Sequence, residues 1–199
     1  MAHCAPAVAP STMTAIVQVE SGGNPLAIGD NTAGRSYYPH DRGAAERLAR
    51  RLLNAGHLLD LGIAQIDSMN LVGFGVTTHA IFDPCINLSI GAKILSDDYV
   101  FAARRYRDAQ VALRHAIGMY NTGRLNAGAR YIARVVAAAA IPDRYAQSSR
   151  VTAKRGAMHS PLLVHVATMR QHVRGTRRNR VTPARSPILV SNVSHVVVF

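Results

Sequence analysis

The chain has 199 residues, 48% of them hydrophobic, enough for one buried core and an extension but with no apolar run of membrane-spanning length. Its formal charge is +12, yet residues 148–199 hold nine Lys and Arg and no acid, which leaves 14 basic against 11 acidic residues in the first 147. The body is therefore near neutral, and the tail, with no nucleic-acid motif beside its charge, reads as a solvated, poorly ordered extension; nucleic acid is not expected as a partner.

The opening MAHCAPAVAP has neither a basic n-region nor a long apolar h-region, so as written it does not read as a signal peptide. Next comes MTAIVQVESGGNP, residues 13–25. Met13, Ile16, Val17 and Glu20 recur at i, i+3, i+4 and i+7 and so share one helical face. Ser11 stands where a cap belongs, and Gly22 and Gly23 stand where the helix should stop. Residues 26–42 are polar and turn-rich. Residues 43–55 resume a helical stripe, with Arg47, Arg50 and Arg51 on the outside.

Residues 57–75, around LGIAQIDSMN, read as a loop. Residues 83–107 form the longest periodic run, through Cys85, Leu88, Ala92, Leu95, Tyr99, Ala102 and Tyr106, with Asp83 and Pro84 at its start. A further helix spans residues 108–120 and breaks at Asn121 to Gly123. A last one spans residues 126–140, with Pro142 beyond it. Little strand signal precedes residue 147.

Glu20 sits on the face that its apolar neighbours must bury. A carboxylate carried into an apolar wall has its charged form disfavoured, so it holds its proton towards neutral pH and can donate it. The residues alone leave a second reading, a glutamate at the end of the stripe turned to solvent or paired with an arginine. The only other glutamate, Glu46, lies among arginines on a helix exterior, where an ion pair is its natural role, and no aspartate reads as equally apolar in setting. Cys4 and Cys85 are either two free thiols or, in an oxidising compartment, a bond from the N-terminal arm to a later helix. The histidines show no zinc-ligand spacing and no phosphate-binding glycine loop occurs, so neither metal nor cofactor is expected.

Three glycine-punctuated clusters remain: ESGGNP at residues 20–25, LGIAQI at 61–66 and MYNTG at 119–123. In this order and spacing they resemble the soluble lytic transglycosylases of the lysozyme superfamily. CAP…VAP, VESGGNPLAIG, LDLGIAQI, DPCINL and MYNTG look more narrowly like the members associated with type IV secretion and conjugation systems. The resemblance covers about residues 4–145 and not the tail.

It implies a mainly α, lysozyme-like α+β domain at residues 4–147, followed by the basic tail at 148–199. It implies cleavage of the MurNAc–GlcNAc β-1,4 bond of peptidoglycan with formation of a 1,6-anhydro sugar, using the single carboxylic acid of Glu20. Gln65 would hold the sugar at the cleavage subsite. Tyr120 would hydrogen-bond near Glu20 or the substrate's acetamido group, and Asn121 would fix the loop carrying Tyr120. The expected partners are glycan strands and components of a secretion apparatus, and the expected compartment is the periplasm, with the chain's start read as truncated or processed. Cys4 and Cys85 look like the subgroup's disulfide pair. Two residues depart from the family pattern: Asp67, where Asn is common, and Met119, where a smaller residue is usual. The rival readings are a lysozyme-type hydrolase recruiting Asp60 or Asp67, and a non-catalytic assembly factor that binds glycan.

Overall fold

The computed structural model describes residues 1–140; residues 141–147 of the expected domain and the expected tail at 148–199 lie outside the described residues. Six α-helices surround a small sheet, the mainly helical α+β arrangement that the resemblance implies. Helix α1 (Pro10–Ser21) runs through the core with Met13 and Ile16 fully buried and Val17 nearly so. Its start differs from the expectation at Ser11. The cap position is Ala9, and Pro10 opens the helix, where a missing N–H costs nothing. Gly22 ends it in the left-handed conformation (φ 62°).

The segments read as loops contain four short antiparallel strands: β1 (Ile28–Asp30), β2 (Arg35–Tyr37), β3 (Leu59–Leu61) and β4 (Ile66–Asp67), in the order β2-β1-β3-β4. Strands of two or three residues are too short to display a two-residue period, which is why the sequence reading missed them. Helix α2 (Arg42–Asn54) lies between β2 and β3 and is capped by Asp41, whose carboxylate accepts from the Ala44 N–H.

After the short α3 (Asn70–Gly73) and a 3-10 turn (Ala80–Phe82), the long helix α4 (Pro84–Ala103) starts on an Asp83 cap. It stops four residues short of the expected boundary. Tyr106 instead stacks on His115 and donates to Asn126 Oδ1 at 2.8 Å. Helix α5 (Ala109–Thr122), capped by Asp108, packs its Leu113, Ala116 and Ile117 into the core beside α4. Helix α6 (Ala129–Ala140) packs against α1 through Tyr131 and Val135.

Cys4 and Cys85 form a disulfide across 81 residues, joining the N-terminal arm to the first turn of α4. In the chain-entropy picture a loop of that length contributes about 4–5 kcal/mol. Among the described residues no helix is long and apolar enough to cross a membrane.

Candidate active site

The site forms where three segments meet: the last turn of α1, the LGIAQI turn between β3 and β4, and the C-terminal turn of α5. The middle of these is held from four directions. Ser21 Oγ, one residue past Glu20, donates to the Ile63 carbonyl at 2.7 Å. Asn87, wholly buried on α4, donates to the Leu61 and Ile81 carbonyls and accepts from the Ala64 N–H, all within 2.9 Å. The Tyr120 hydroxyl donates to the Ala64 carbonyl at 2.7 Å. Gln65 Nε2 donates to the carbonyls of Gly62 (2.7 Å) and Ala27 (3.2 Å).

Two glycines make this possible. A Cβ on Gly62 would lie 2.2 Å from Asn87 Nδ2, and a Cβ on Gly91 would lie 2.9 Å from the Tyr120 hydroxyl oxygen. Gln65 itself takes a left-handed backbone (φ 49°), unusual outside glycine, which marks the turn as a constrained element rather than a surface loop.

Glu20 stands at the end of α1 with 9% of its surface exposed. Tyr131, from the first turn of α6, donates its hydroxyl to Glu20 Oε1 at 2.5 Å. Burial pushes the Glu20 carboxyl up to about 8. The Tyr131 hydrogen bond pulls it down, the Asp60 charge adds to the rise, and the Arg134 charge opposes it. Arg134, one turn along α6 from Tyr131, also donates to the Val19 carbonyl at 3.1 Å and so holds α6 against the end of α1. Burial likewise raises the Tyr120 and Tyr131 hydroxyls well above their usual range, so both remain protonated donors. The arrangement presents a protonated carboxylic acid at neutral pH, on rigid elements, beside open space.

That space has two parts, both reaching Glu20, Asp60 and Gln65. One, of about 430 Å³, is bounded by β1 and β2 and includes Arg35 and the exposed Tyr38. The other, of about 670 Å³, runs between β4, α4 and the end of α5, and includes Asp67, Asp98, Met119, Tyr120 and Asn121. Glu20, Gln65, Tyr120 and Asn121 are thus brought to one groove. Asn121 belongs to the last turn of α5 rather than to a loop.

The aspartates correct the sequence reading. Asp30, Asp60 and Asp67 are more buried than Glu20, at 2%, 4% and 4% exposure, because the unseen sheet carries them inward. Asp60 and Asp67 lie opposite each other on β3 and β4. Asp60 Oδ2 accepts from Asn31 Nδ2 at 2.9 Å, and Asp67 Oδ1 accepts from the Met69 N–H at 2.7 Å. Of the two, it is Asp60 whose charge acts on Glu20. Glu46 pairs with His79 at 2.7 Å and Arg50 at 3.7 Å, on the far side of α2.

Sequence reasoning missed Tyr131, Arg134, Asn87 and Asp98. For Tyr131 one signal was available: it is the only aromatic residue of α6, set among alanines and valines. Among the described residues no group of three or more His, Cys, Asp and Glu side chains is arranged to hold a metal ion.

Comparison with known proteins bears on this geometry. Residues 1–139 match the model of the family described as "Transglycosylase SLT domain". The chain is 42% identical over 121 residues to "Protein virB1" of Agrobacterium fabrum, covering 61% of this chain and 49% of that protein. It is also 42% identical over 150 residues to "Type IV secretion system protein virB1" of Brucella abortus, covering 71% of this chain and 63% of the relative. The matched region spans about half to just under two thirds of the length of these relatives. No solved structure matches the chain significantly.

Proposed function

The chain belongs to the Transglycosylase SLT domain family, and from that premise we propose that it is a peptidoglycan lytic transglycosylase with Glu20 as its single acid. The observation that carries the reading is Glu20 itself: a carboxyl held near pKa 8 by burial, with Tyr131 on one oxygen, at the edge of a groove that Gln65, Tyr120 and Asn121 also line. Protonated Glu20 gives its proton to the O4 leaving oxygen as the C1–O4 bond between MurNAc and GlcNAc breaks. The resulting carboxylate, partnered by Tyr131, takes the proton from the MurNAc 6-hydroxyl as that oxygen bonds to C1. This closes the 1,6-anhydro ring and restores the acid. No water is consumed.

Gln65, whose amide nitrogen is committed to two carbonyls, keeps its Oε1 for a sugar N–H or hydroxyl. Tyr120 and Asn121 line the same groove and bind the glycan there. The name of the Brucella abortus relative places it with type IV secretion, and the similarity supports a role in opening the wall locally for such an apparatus, in the periplasm. The Cys4–Cys85 bond suits an oxidising compartment.

A second reading is favoured by Asp60. It borders both halves of the groove and acts electrostatically on Glu20, so a two-carboxylate hydrolase could use it to activate water or stabilise the cationic centre. Mass spectrometry of muropeptides released from purified sacculi separates the readings. Anhydro ends support the transglycosylase and reducing ends the hydrolase. Wall binding without release favours the assembly factor.

A further inference from the structure

Helix α4 places Asp98 on the wall of the larger half of the groove, facing the end of α5. Among the described residues its carboxyl has no hydrogen bond or ion pair, and Oδ2 is fully enclosed with no partner. Its neighbour Asp97 differs: it points outward and is paired with Lys93 at 2.6 Å. A partly buried carboxyl without a donor destabilises the fold, and native proteins keep such groups where something other than stability is served.

We propose that Asp98 contacts the bound glycan through Oδ1, the carboxyl oxygen that is not enclosed, offering it to a hydroxyl or acetamido group of a sugar in this half of the groove. The inference rests on the glycan reading above and adds a specificity residue to it. Burial, with the Asp97 charge in second place, raises the Asp98 carboxyl to about 7, so near neutrality the acid form is well populated. In that form it both donates and accepts, matching a sugar hydroxyl or an amide; ionised, it only accepts.

The charged and titratable groups around it are Asp97 on its own helix, Tyr120 from α5, Glu20 from α1, Asp60 from β3 and Asp67 from β4. None of the described residues lining this half is Lys or Arg, whereas Arg35 borders the other half. The acidic half thus takes a sugar without an anionic substituent, and the lactyl-peptide carboxylates of a wall strand fit better towards Arg35.

The test is calorimetric titration of tetra-N-acetylchitotetraose into the 199-residue chain carrying Glu20→Gln, which removes the other carboxyl that burial raises towards this pH. Asp98 is kept or changed to Asn or Leu. Asp98→Leu is expected to weaken binding about tenfold or more while the thermal midpoint stays or rises, since an unsatisfied carboxyl is removed. Asp98→Asn, which keeps a donor and an acceptor, is expected to bind within about threefold at pH 6 and to lack the affinity loss shown between pH 6 and 8.5 by the protein with Asp98. Equal binding by Asp98→Leu, or the same pH-dependent loss in Asp98→Asn, overturns the proposal.

Sacculus cleavage by proteins with Glu20 intact separates the two levels, and decides the matter if the short oligomer binds to none of them. Release by Asp98→Leu at the unaltered protein's rate overturns the role of Asp98 and leaves the glycan reading standing. No release and no wall binding by the unaltered protein overturns both.

Discussion

Tyr131→Phe removes one oxygen atom from the site and leaves the ring that packs α6 on α1. In the native protein the hydroxyl donates to Glu20 Oε1, and of the influences on that carboxyl it is the largest one favouring the charged form. A hydrogen bond to a charged group contributes about 1.5–3 kcal/mol and one to a neutral group about 0.5–1.5, so the carboxylate loses roughly 1–1.5 kcal/mol more than the acid. One pH unit corresponds to about 1.36 kcal/mol, so the Glu20 titration should rise by about one pH unit.

Because the first step needs protonated Glu20, the alkaline limb of sacculus clearance should lie near pH 8 in the native protein. It should move to higher pH in the variant. Its maximal rate should fall about tenfold, since the carboxylate that accepts the 6-hydroxyl proton has lost its partner. The assay is initial-rate turbidity loss of sacculi from pH 5 to 9.5, with thermal unfolding as the control for folding. An alkaline limb that stays in place or moves to lower pH refutes the reasoning.

Stability should respond to Glu20 in a defined direction. Its folded value near 8 lies above the ordinary 4.5, so the folded state holds the proton more tightly and stability is lost as pH rises from about 4.5 to 8. Glu20→Gln should therefore match the native stability near pH 4.5 and exceed it above pH 8, by on the order of 3–5 kcal/mol at most; equal thermal midpoints at pH 8.5 would contradict the burial argument. Asn87→Ala leaves the Leu61 and Ile81 carbonyls and the Ala64 N–H without their partner, and chemical denaturation should show a loss of about 3–5 kcal/mol. Reducing the Cys4–Cys85 bond should lower stability by up to about 4–5 kcal/mol in the same assay, and a midpoint indifferent to reductant would contradict the constraint.

The five longer helices were legible because their apolar residues recur at three and four, as Met13, Ile16 and Val17 do on α1, whereas the four residues of α3 were read as loop. The sheet was not, because β3 and β4 together have five residues and are held by side chains from elsewhere, Asn87 above all. That omission carried over to the acids. With no strand to carry Asp60 and Asp67 inward, both looked like ordinary loop residues. At the site, the clusters containing Glu20, Gln65 and Tyr120 stood out through their glycines and came together at one groove. Their division of labour was not visible. The Tyr120 hydroxyl bonds the Ala64 carbonyl, and the tyrosine on Glu20 is Tyr131, 111 residues further along the chain, where no local pattern links the two. Asp98 was hidden for a related reason. On a helix with apolar residues all round, one of two adjacent aspartates turns inward and the other out, which only packing decides.

The central claim is that Glu20 is the single acid of a reaction that closes the product's own ring. Its most direct test is mass spectrometry of the soluble products from purified sacculi treated with the native protein and with Glu20→Gln. Muropeptides ending in 1,6-anhydro-MurNAc from the native protein, reduced by several orders of magnitude in the variant, are the expected result. Reducing MurNAc ends, or anhydro products undiminished in Glu20→Gln, would contradict it.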